Sequence, residues 1–220
     1  MCKCTYCGNV KSSDVVLIDD RIPEMKSGDK IVSPRCGLCD KRLIPDKAWR
    51  SKDKQQNVII ITGLCGSGKS SVGQMLEKKI GYVHIDGDAV SKRVNWDIRN
   101  GNLKERSGYR VFDEMLESIH VLLQQGYSVI GTYVFSEEEM KRYKEKFTEL
   151  GVNSHFFVLK TEKDICIERD KARESWTAGE EFVMKWYDEQ RALIESGTWI
   201  VVDNSVDSLD DTVEKIQLQI

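Results

Sequence analysis

The strongest chemical signal in the sequence is a glycine-rich run that could hold phosphate groups. Residues 63–70 read Gly-Leu-Cys-Gly-Ser-Gly-Lys-Ser, which completes the pattern G-x-x-x-x-G-K-[ST] between an apolar run and a helical one. Glycines let the backbone curl so that successive N–H groups face phosphate oxygens, and the following helix adds the positive end of its dipole. The run therefore predicts a nucleotide-binding loop, since a chance glycine turn rarely stands between a strand and a helix.

The residue types within this loop have separate expected tasks. Lys69 is expected to reach the β- and γ-phosphates of ATP, and the Ser70 hydroxyl to ligate Mg²⁺. The other members of the predicted nucleotide site are Gly63, Cys65, Gly66, Ser67, Gly68 and Ser71. We interpret Cys65 as a small loop residue and not as a reactive thiol.

A pair of carboxylates follows the next apolar run. Asp86 and Asp88 flank Gly87 where that predicted strand ends, and open α/β sheets bind their ligands at the carboxyl ends of strands. A carboxylate there can accept the proton of an attacking hydroxyl or hold a water of the Mg²⁺ shell. We expect Asp88 to lie nearest the acceptor and Asp86 on the Mg²⁺ side. The alternative is an Asp-Gly-Asp turn chosen only for its backbone preferences.

The elements that must position these residues alternate along the chain. Apolar strand patterns at 58–62, 82–85, 127–132, 155–159 and 198–202 are separated by helical patterns at 69–80, 107–125, 137–149, 162–173, 179–195 and 208–218. Strands separated by helices form βαβ units and a mainly parallel sheet. The predicted fold class is therefore α/β, a phosphate-loop type of parallel sheet flanked by helices.

Residues 58–205 resemble the phosphate-loop small-molecule kinases, particularly adenylylsulfate kinase and gluconate kinase. The residues that carry the resemblance are the loop at 63–70, the Asp-Gly-Asp at 86–88 and the segment 126–135. The resemblance implies a five-stranded parallel core, ATP with Mg²⁺ and a mobile lid. Ser91 stands where adenylylsulfate kinases carry an arginine, so the resemblance does not select the acceptor.

The same resemblance places further residues in the site. The basic pair of the lid would be Arg169 and Arg173, where planar, permanently charged donors close over developing phosphoryl charge. The alternative for these arginines is a solvated helical face. Asn204, after the last strand, would lie beside the adenine base, or else belong to an ordinary strand-to-helix turn.

Several side chains could contact an acceptor. Arginines follow the Asp-Gly-Asp at positions 93, 99, 106 and 110, and bidentate guanidinium contacts suit a phosphate or a carboxylate. We select Arg93, Arg106 and Arg110 as the substrate-binding candidates, although most surface arginines are merely solvated. Tyr133 and Phe135, at the end of their strand, could stack on an acceptor ring, but aromatic residues at strand ends are more often part of the core.

Cysteines mark a second, smaller domain at the amino terminus. Two C-x-x-C pairs, Cys4 with Cys7 and Cys36 with Cys39, offer four thiolates on two tight turns, which is typical of a closed structural Zn²⁺ site. A short segment cannot build an adequate core alone, so the metal would supply folding energy. We therefore predict a zinc-ribbon-like Cys4 module over 1–50, a polar linker over 51–57 and the kinase-like domain over 58–220. A redox C-x-x-C is the weaker alternative.

Composition limits the classes of function. The 220 residues carry a formal net charge of −3 and are 40% hydrophobic and 31% charged. Residues 1–57 hold 12 basic and 8 acidic residues and the remainder 21 and 28, so +4 and −7 add to −3. Such an excess is too weak to demand a nucleic-acid partner. There is no apolar run long enough to span a membrane and no secretory signal, and clustered cysteines fit a reducing compartment, so we expect a cytoplasmic protein.

Three functions fit these observations. The leading hypothesis is an ATP-dependent kinase that moves the γ-phosphoryl group to a hydroxyl of a small, anionic metabolite resembling adenylylsulfate or a sugar acid. The second is a nucleoside or polynucleotide 5′-kinase whose zinc module holds nucleic acid. The third is a non-catalytic nucleotide-sensing module. Self-association is left open by all three.

Overall fold

The computed structural model describes residues 55–100, 110–124, 126–173 and 177–220, with side chains except at positions 96, 97 and 110. Nearer the amino terminus it describes the backbone of three short strands, β1 (Cys2–Cys4), β2 (Val10–Lys11) and β3 (Leu43–Pro45). These strands form an antiparallel sheet in the order β2-β1-β3. The rest of the zinc module predicted over 1–50 lies outside the described residues.

The larger sheet has five strands and seven accompanying helices in the described part of the chain. The strands are β4 (Asn57–Gly63), β5 (Val83–Asp86), β6 (Val129–Thr132), β7 (Asn153–Lys160) and β8 (Ile200–Asp203). The helices are α1 (Lys69–Ile80), α2 (Gly87–Arg99), α3 (Arg110–Gln124), α4 (Glu137–Glu149), α5 (Lys163–Lys171), α6 (Glu180–Glu195) and α7 (Leu209–Gln217). The strand order is β5-β6-β4-β7-β8, and the sheet is parallel. The predicted α/β fold is confirmed.

By its internal contacts the chain divides into two compact units. Unit 1 consists of residues 1–56 and 83–129, and unit 2 of residues 57–82 and 130–220. Unit 2 contains the glycine-rich loop, strands β4, β7 and β8 and nearly all of β6. Unit 1 contains the Asp-Gly-Asp sequence and helices α2 and α3.

Strand β4 positions the glycine-rich loop because it is held along its whole length. It pairs in parallel with β7 from Asn57 opposite Asn153 to Gly63 opposite Leu159. Its residues Val58 to Ile61 have no exposed surface, as expected for a strand covered on both faces by helices. The continuous apolar run that predicted this strand is therefore the direct consequence of its burial.

Two helices of unit 2 pack on this strand. Ile59 and Ile61 belong to one buried cluster with Val72 and Leu76 of α1 and with apolar residues of α7. Helix α1 ends at Ile80 and is capped by Gly81, whose φ of +73° is left-handed and whose N–H donates to the carbonyl of Glu77. Burial of the α1 face thus fixes the helix whose first turn follows the loop.

Helix α2 was not predicted, and the sequence Asp-Gly-Asp is not a turn. Strand β5 ends at Asp86 and α2 begins at Gly87. The Asp86 carboxylate accepts a hydrogen bond from the Asp88 N–H at 2.9 Å, which satisfies one of the unpaired donors at a helix start. Local capping chemistry therefore changes a turn-like sequence into a helix start. The helices predicted at 69–80 and 137–149 have the observed bounds.

None of the helices in the described ranges is long and apolar enough to span a bilayer.

Candidate active site

The glycine-rich loop has the curled backbone that its sequence predicts. Gly66 and Gly68 have φ values of +87° and +91°, in the left-handed region that side chains disfavour. The Ser67 N–H donates to the Leu64 carbonyl at 3.0 Å, which closes the bend. Gly68 is the N-cap of α1, so the last peptide of the loop lies at the positive end of the helix dipole.

A close approach to α5 explains why residue 66 is a glycine. A Cβ atom added there would lie 2.1 Å from the carbonyl oxygen of Cys166 and 2.9 Å from its Cα. Both of these atoms are backbone, so neither can move aside by a change of rotamer. Helix α5 therefore packs directly on the loop, with no side chain between the two backbones.

Lys69 is turned inward over its own loop. Its Nζ donates to the carbonyl oxygens of Gly63 at 2.9 Å and Leu64 at 2.8 Å, and the residue is only 9% exposed. An ammonium group has three donors in a flexible arrangement. The same group can therefore reach phosphate oxygens by exchanging carbonyl partners, without a change in the backbone.

The loop also offers polar groups that fit a phosphate ligand with its metal ion. The Oγ atom of Ser67 is buried and makes no hydrogen bond within the described part of the chain. Buried polar atoms are nearly always paired, so this hydroxyl fits a ligand oxygen. Ser70 is half-buried in the first turn of α1, and Ser71 beside it is exposed. A hydroxyl oxygen is a donor that Mg²⁺ accepts.

Lys69 and the predicted lid arginine Arg169 both act electrostatically on the thiol of Cys166. Burial raises the pKa of the Cys166 thiol to about 11, and the positive charges of Lys69 and Arg169 act in the opposite direction. Both cations therefore lie within electrostatic range of the same sulfur atom. Arg169 is exposed on α5, whereas Lys69 is buried.

Arg173 forms an ion pair with a buried carboxylate. Its Nη1 lies 3.4 Å from the Oδ1 of Asp170, a residue whose side chain is 2% exposed. The other oxygen of Asp170 accepts the N–H of Gly179 at 3.0 Å, just before α6 begins. One carboxylate thus joins the end of α5, Arg173 and the start of α6.

The residues predicted to contact the acceptor differ in how far they are buried. Arg93 is 6% exposed on α2, whereas Arg106 and the side chain of Arg110 lie outside the described residues. Tyr133 is half-buried. Phe135 is fully buried and its ring packs edge-on against Tyr143 at 5.0 Å. The expected stacking of Phe135 on an acceptor is therefore replaced by a role in the core.

Asn204, which is expected beside the adenine base, contacts the glycine-rich loop. The residue is 5% exposed, and its Nδ2 donates to the Ser67 carbonyl at 2.9 Å. Its Oδ1 accepts the Thr161 hydroxyl at 2.5 Å. The side chain therefore contacts the loop rather than projecting into solvent.

The predicted zinc ligands lie outside the part of the chain whose side chains are described. Cys4 ends strand β1, of which the backbone alone is described, and Cys7, Cys36 and Cys39 lie outside the described ranges. Within the described residues there is no group of three or more His, Cys, Asp or Glu side chains that could hold a metal. The zinc site stays a prediction.

Comparison with a family model identifies the chain. Residues 58–196, more than half of it, match the model described as "AAA domain". The chain belongs to this AAA domain family. The matched range begins at the second residue of β4 and ends directly after α6, so it includes the loop, the Asp-Gly-Asp and both predicted lid arginines of the AAA domain.

Curated relatives of this AAA domain match over parts of their length. A stretch of 66 residues is 32% identical to the cytidylate kinase of Caldicellulosiruptor saccharolyticus, over 30% of this chain and 29% of that one. A stretch of 116 residues is 30% identical to the shikimate kinase of Thermodesulfovibrio yellowstonii, over 51% of this chain and 63% of that one. The chain thus spans less than two thirds of each relative.

A solved structure supports the fold of the AAA domain. The gluconokinase of Sinorhizobium meliloti 1021 superposes with a TM-score of 0.55 at 17% identity, covering 76% of this chain and 98% of that one. The expected likeness to gluconate kinases is thereby confirmed for the fold. The likeness to adenylylsulfate kinases in substrate stays a prediction.

Sequence reasoning missed three residues that shape the site of this AAA domain. The backbone of Cys166 contacts the loop, Asp170 forms an ion pair with Arg173, and Thr161 donates a hydrogen bond to Asn204. Asp170 could have been found from its place between the two lid arginines, because a carboxylate one and three residues from arginines is a natural ion-pair partner. The close contact of Cys166 has no signal in the sequence.

Proposed function

We propose that the protein is an ATP-dependent kinase that transfers the γ-phosphoryl group to a hydroxyl of a small, anionic metabolite. The observation that carries this proposal is the loop itself: a buried Lys69 over a glycine bend, with the orphaned Ser67 hydroxyl beside it. The kinase names of the cytidylate, shikimate and gluconate relatives support it. Their differing acceptors leave the metabolite to be found by experiment.

On the phosphate side, three groups of the chain have proposed tasks. The N–H groups of the loop and the ammonium of Lys69 bind the phosphate oxygens, and Ser70 holds Mg²⁺. The metal, when bound, neutralises charge that develops on the phosphates. Arg169 stabilises negative charge on the transferred group as a mobile, permanently charged donor. The effect of both Lys69 and Arg169 on the pKa of the Cys166 thiol supports this task.

On the acceptor side, the proposed roles are those that the sequence analysis predicts. Arg93 binds the anionic group of the acceptor, and Asp88 accepts the proton of its hydroxyl. The acceptor oxygen then forms a bond to the γ-phosphorus while the bond to the bridging oxygen breaks, which yields ADP and a phosphate monoester. Asp86 caps α2 with one oxygen, so its second oxygen is the one proposed to serve a water of the Mg²⁺ shell.

The test is a transfer assay with radiolabelled ATP, Mg²⁺ and an acceptor panel. The panel contains sugars, sugar acids, shikimate, adenylylsulfate, cytidine monophosphate, nucleosides and oligonucleotides with a 5′-hydroxyl. We expect one anionic small molecule to be labelled. Labelling of cytidine monophosphate, the acceptor class that the cytidylate kinase similarity favours, would move the transfer from a hydroxyl to a phosphate. No labelled product in any arm would refute the kinase.

Two variants with one matched control sharpen this assay. Lys69→Ala should abolish detectable transfer, whereas Lys78→Ala, an exposed lysine in the last turn of the same helix, should keep it. Asp88→Asn should lower kcat by about 10²- to 10⁴-fold, the usual contribution of a general base, with little change in the KM for ATP. Unchanged kcat in Asp88→Asn would remove the proposed proton acceptor while leaving the kinase intact.

We also propose that the amino-terminal cysteines hold one structural Zn²⁺. The chemistry of the donor set supports this, because four thiolates in two C-x-x-C pairs match a closed tetrahedral site. Emission spectroscopy of the full chain should find about one zinc per molecule, and Cys36→Ser with Cys39→Ser should remove it. A zinc content far below half in undamaged protein would overturn the site.

A further inference from the structure

Asn204 links the end of strand β8 to the phosphate-binding loop. Its backbone N–H donates to the Lys160 carbonyl at 3.0 Å, which continues the pairing of β7 with β8 by one residue. The main chain of Asn204 is therefore fixed by the sheet. A rigid base of this kind lets the side chain hold another segment in place.

The amide of Asn204 has a single orientation that satisfies its neighbours. The Ser67 carbonyl can only accept a hydrogen bond, so the amide group that faces it at 2.9 Å must be the Nδ2 donor. The Thr161 hydroxyl donates to Oδ1 on the other side. Reversing the amide would set two carbonyl oxygens against each other, so the Ser67 carbonyl fixes the orientation. The Thr161 hydroxyl, which can donate or accept, holds the other edge of the amide in place.

Holding the Ser67 oxygen also sets the direction of the next N–H group. A trans peptide is planar, and its C=O and N–H point in opposite directions; the described residues contain no cis peptide bond. The peptide that carries the Ser67 oxygen carries the Gly68 N–H on its other edge. Gly68 has no Cβ to restrict rotation of this peptide, and a Cβ added to it would have the Asn204 Nδ2 as its nearest neighbour, at 4.0 Å.

We propose that Asn204 is a positioning residue that turns the Gly68 N–H toward a bound phosphate. The inference rests on the proposed function, since it needs a phosphate ligand at the loop. Asn204 acts through the Ser67–Gly68 peptide and leaves recognition of the base to other groups. The 5% exposure of Asn204 agrees with this task, whereas Val206 two residues later is 94% exposed.

The test compares ligands that carry phosphates with one that does not. Calorimetric titration of the full-length protein uses ATP, inorganic tripolyphosphate and adenosine. Asn204→Asp keeps the shape of the side chain but sets an oxygen against the Ser67 oxygen. It should weaken ATP and tripolyphosphate binding by a similar factor, roughly tenfold or more for a lost hydrogen bond with an unpaired buried acceptor, and leave adenosine binding unchanged.

Two further variants and an amide signal complete the experiment. Thr161→Val removes the hydroxyl that holds the outer edge of the amide and should give a smaller loss of phosphate-ligand affinity. This variant also tests the proposal if Asn204→Asp does not fold. Asn153→Asp, the same change at an exposed position at the start of β7, should bind all three ligands as the parent does. The Gly68 ¹H–¹⁵N resonance should shift when the parent protein binds tripolyphosphate. The shift should be smaller in Asn204→Asp and in Thr161→Val.

The outcomes separate the two proposals. Equal weakening of adenosine and ATP with unchanged tripolyphosphate binding would make Asn204 a base contact and overturn the inference. Parent-like binding of all ligands by Asn204→Asp and Thr161→Val would overturn it too. If the parent itself binds neither ATP nor tripolyphosphate, the proposed function fails and the positioning role fails with it.

Discussion

Replacing Gly66 by alanine tests the contact between the loop and α5. A left-handed φ costs a residue with a Cβ about 1–2 kcal/mol, and the φ of Gly66 is +87°. The new methyl would also lie 2.1 Å from the Cys166 oxygen, an overpacking that typically costs about 1–3 kcal/mol. The free energy of unfolding should therefore fall by about 2–5 kcal/mol, which lowers Tm by about 4–20 °C in a domain of this size.

The matched control for this variant is Gly81→Ala. Gly81 is also left-handed, with φ of +73°, but nothing lies within 4 Å of an added Cβ. It should therefore show the backbone cost alone, about 1–2 kcal/mol. Urea unfolding and thermal melts of both variants measure the difference. If Gly66→Ala loses no more stability than Gly81→Ala, the direct packing of loop and α5 backbones is wrong.

Three further predictions concern buried groups of unit 2. Because burial raises the pKa of Cys166 to about 11, roughly one thiol in a thousand is ionised at pH 8. Iodoacetamide should label Cys166 only after denaturation, and peptide mapping that finds equal labelling in native protein would contradict its burial. Asp170→Ala removes the partner of Arg173 and the acceptor of the Gly179 N–H, so unfolding free energy should fall by about 2–4 kcal/mol. Asp170→Asn keeps one acceptor oxygen, so its free energy of unfolding should fall less than that of Asp170→Ala in the same urea titration. An equal decrease in the two variants would show that only the charge of Asp170 contributes to stability. Phe135→Ala should lower the free energy of unfolding, measured with urea, by about 3–5 kcal/mol. If the ring instead bound the acceptor, the variant would change the KM for the acceptor with little loss of stability.

Much of the secondary structure could be predicted because the buried face of a helix or strand requires apolar residues at regular spacing. Helix α1 keeps Val72 and Leu76, four residues apart, in the core, and this spacing is visible in the sequence. Helix α2 was missed because Asp-Gly-Asp has strong turn preferences. Its signal was the apolar pair Val90 and Val94, both buried and four residues apart, after an aspartate that can cap.

In the candidate site, too, features set by neighbouring residues could be predicted, and features set by distant residues could not. The glycine-rich loop could be identified because phosphate binding requires a fixed set of residue types at fixed local spacing. The role of Asn204 could not, since its partner Ser67 is 137 positions away along the chain. Aromatic residues at strand ends gave no means of telling the buried Phe135 from the half-buried Tyr133.

The sequence by itself determined the alternation of strands and helices, the phosphate-binding loop and its lysine, because each depends on neighbours a few residues apart. The tertiary structure alone decided the strand order β5-β6-β4-β7-β8 and the contact of Gly66 with Cys166. It also decided the bonds that fix Asn204 and Asp170. These features join residues far apart in the chain, and such partners are selected by packing and hydrogen-bond satisfaction in three dimensions.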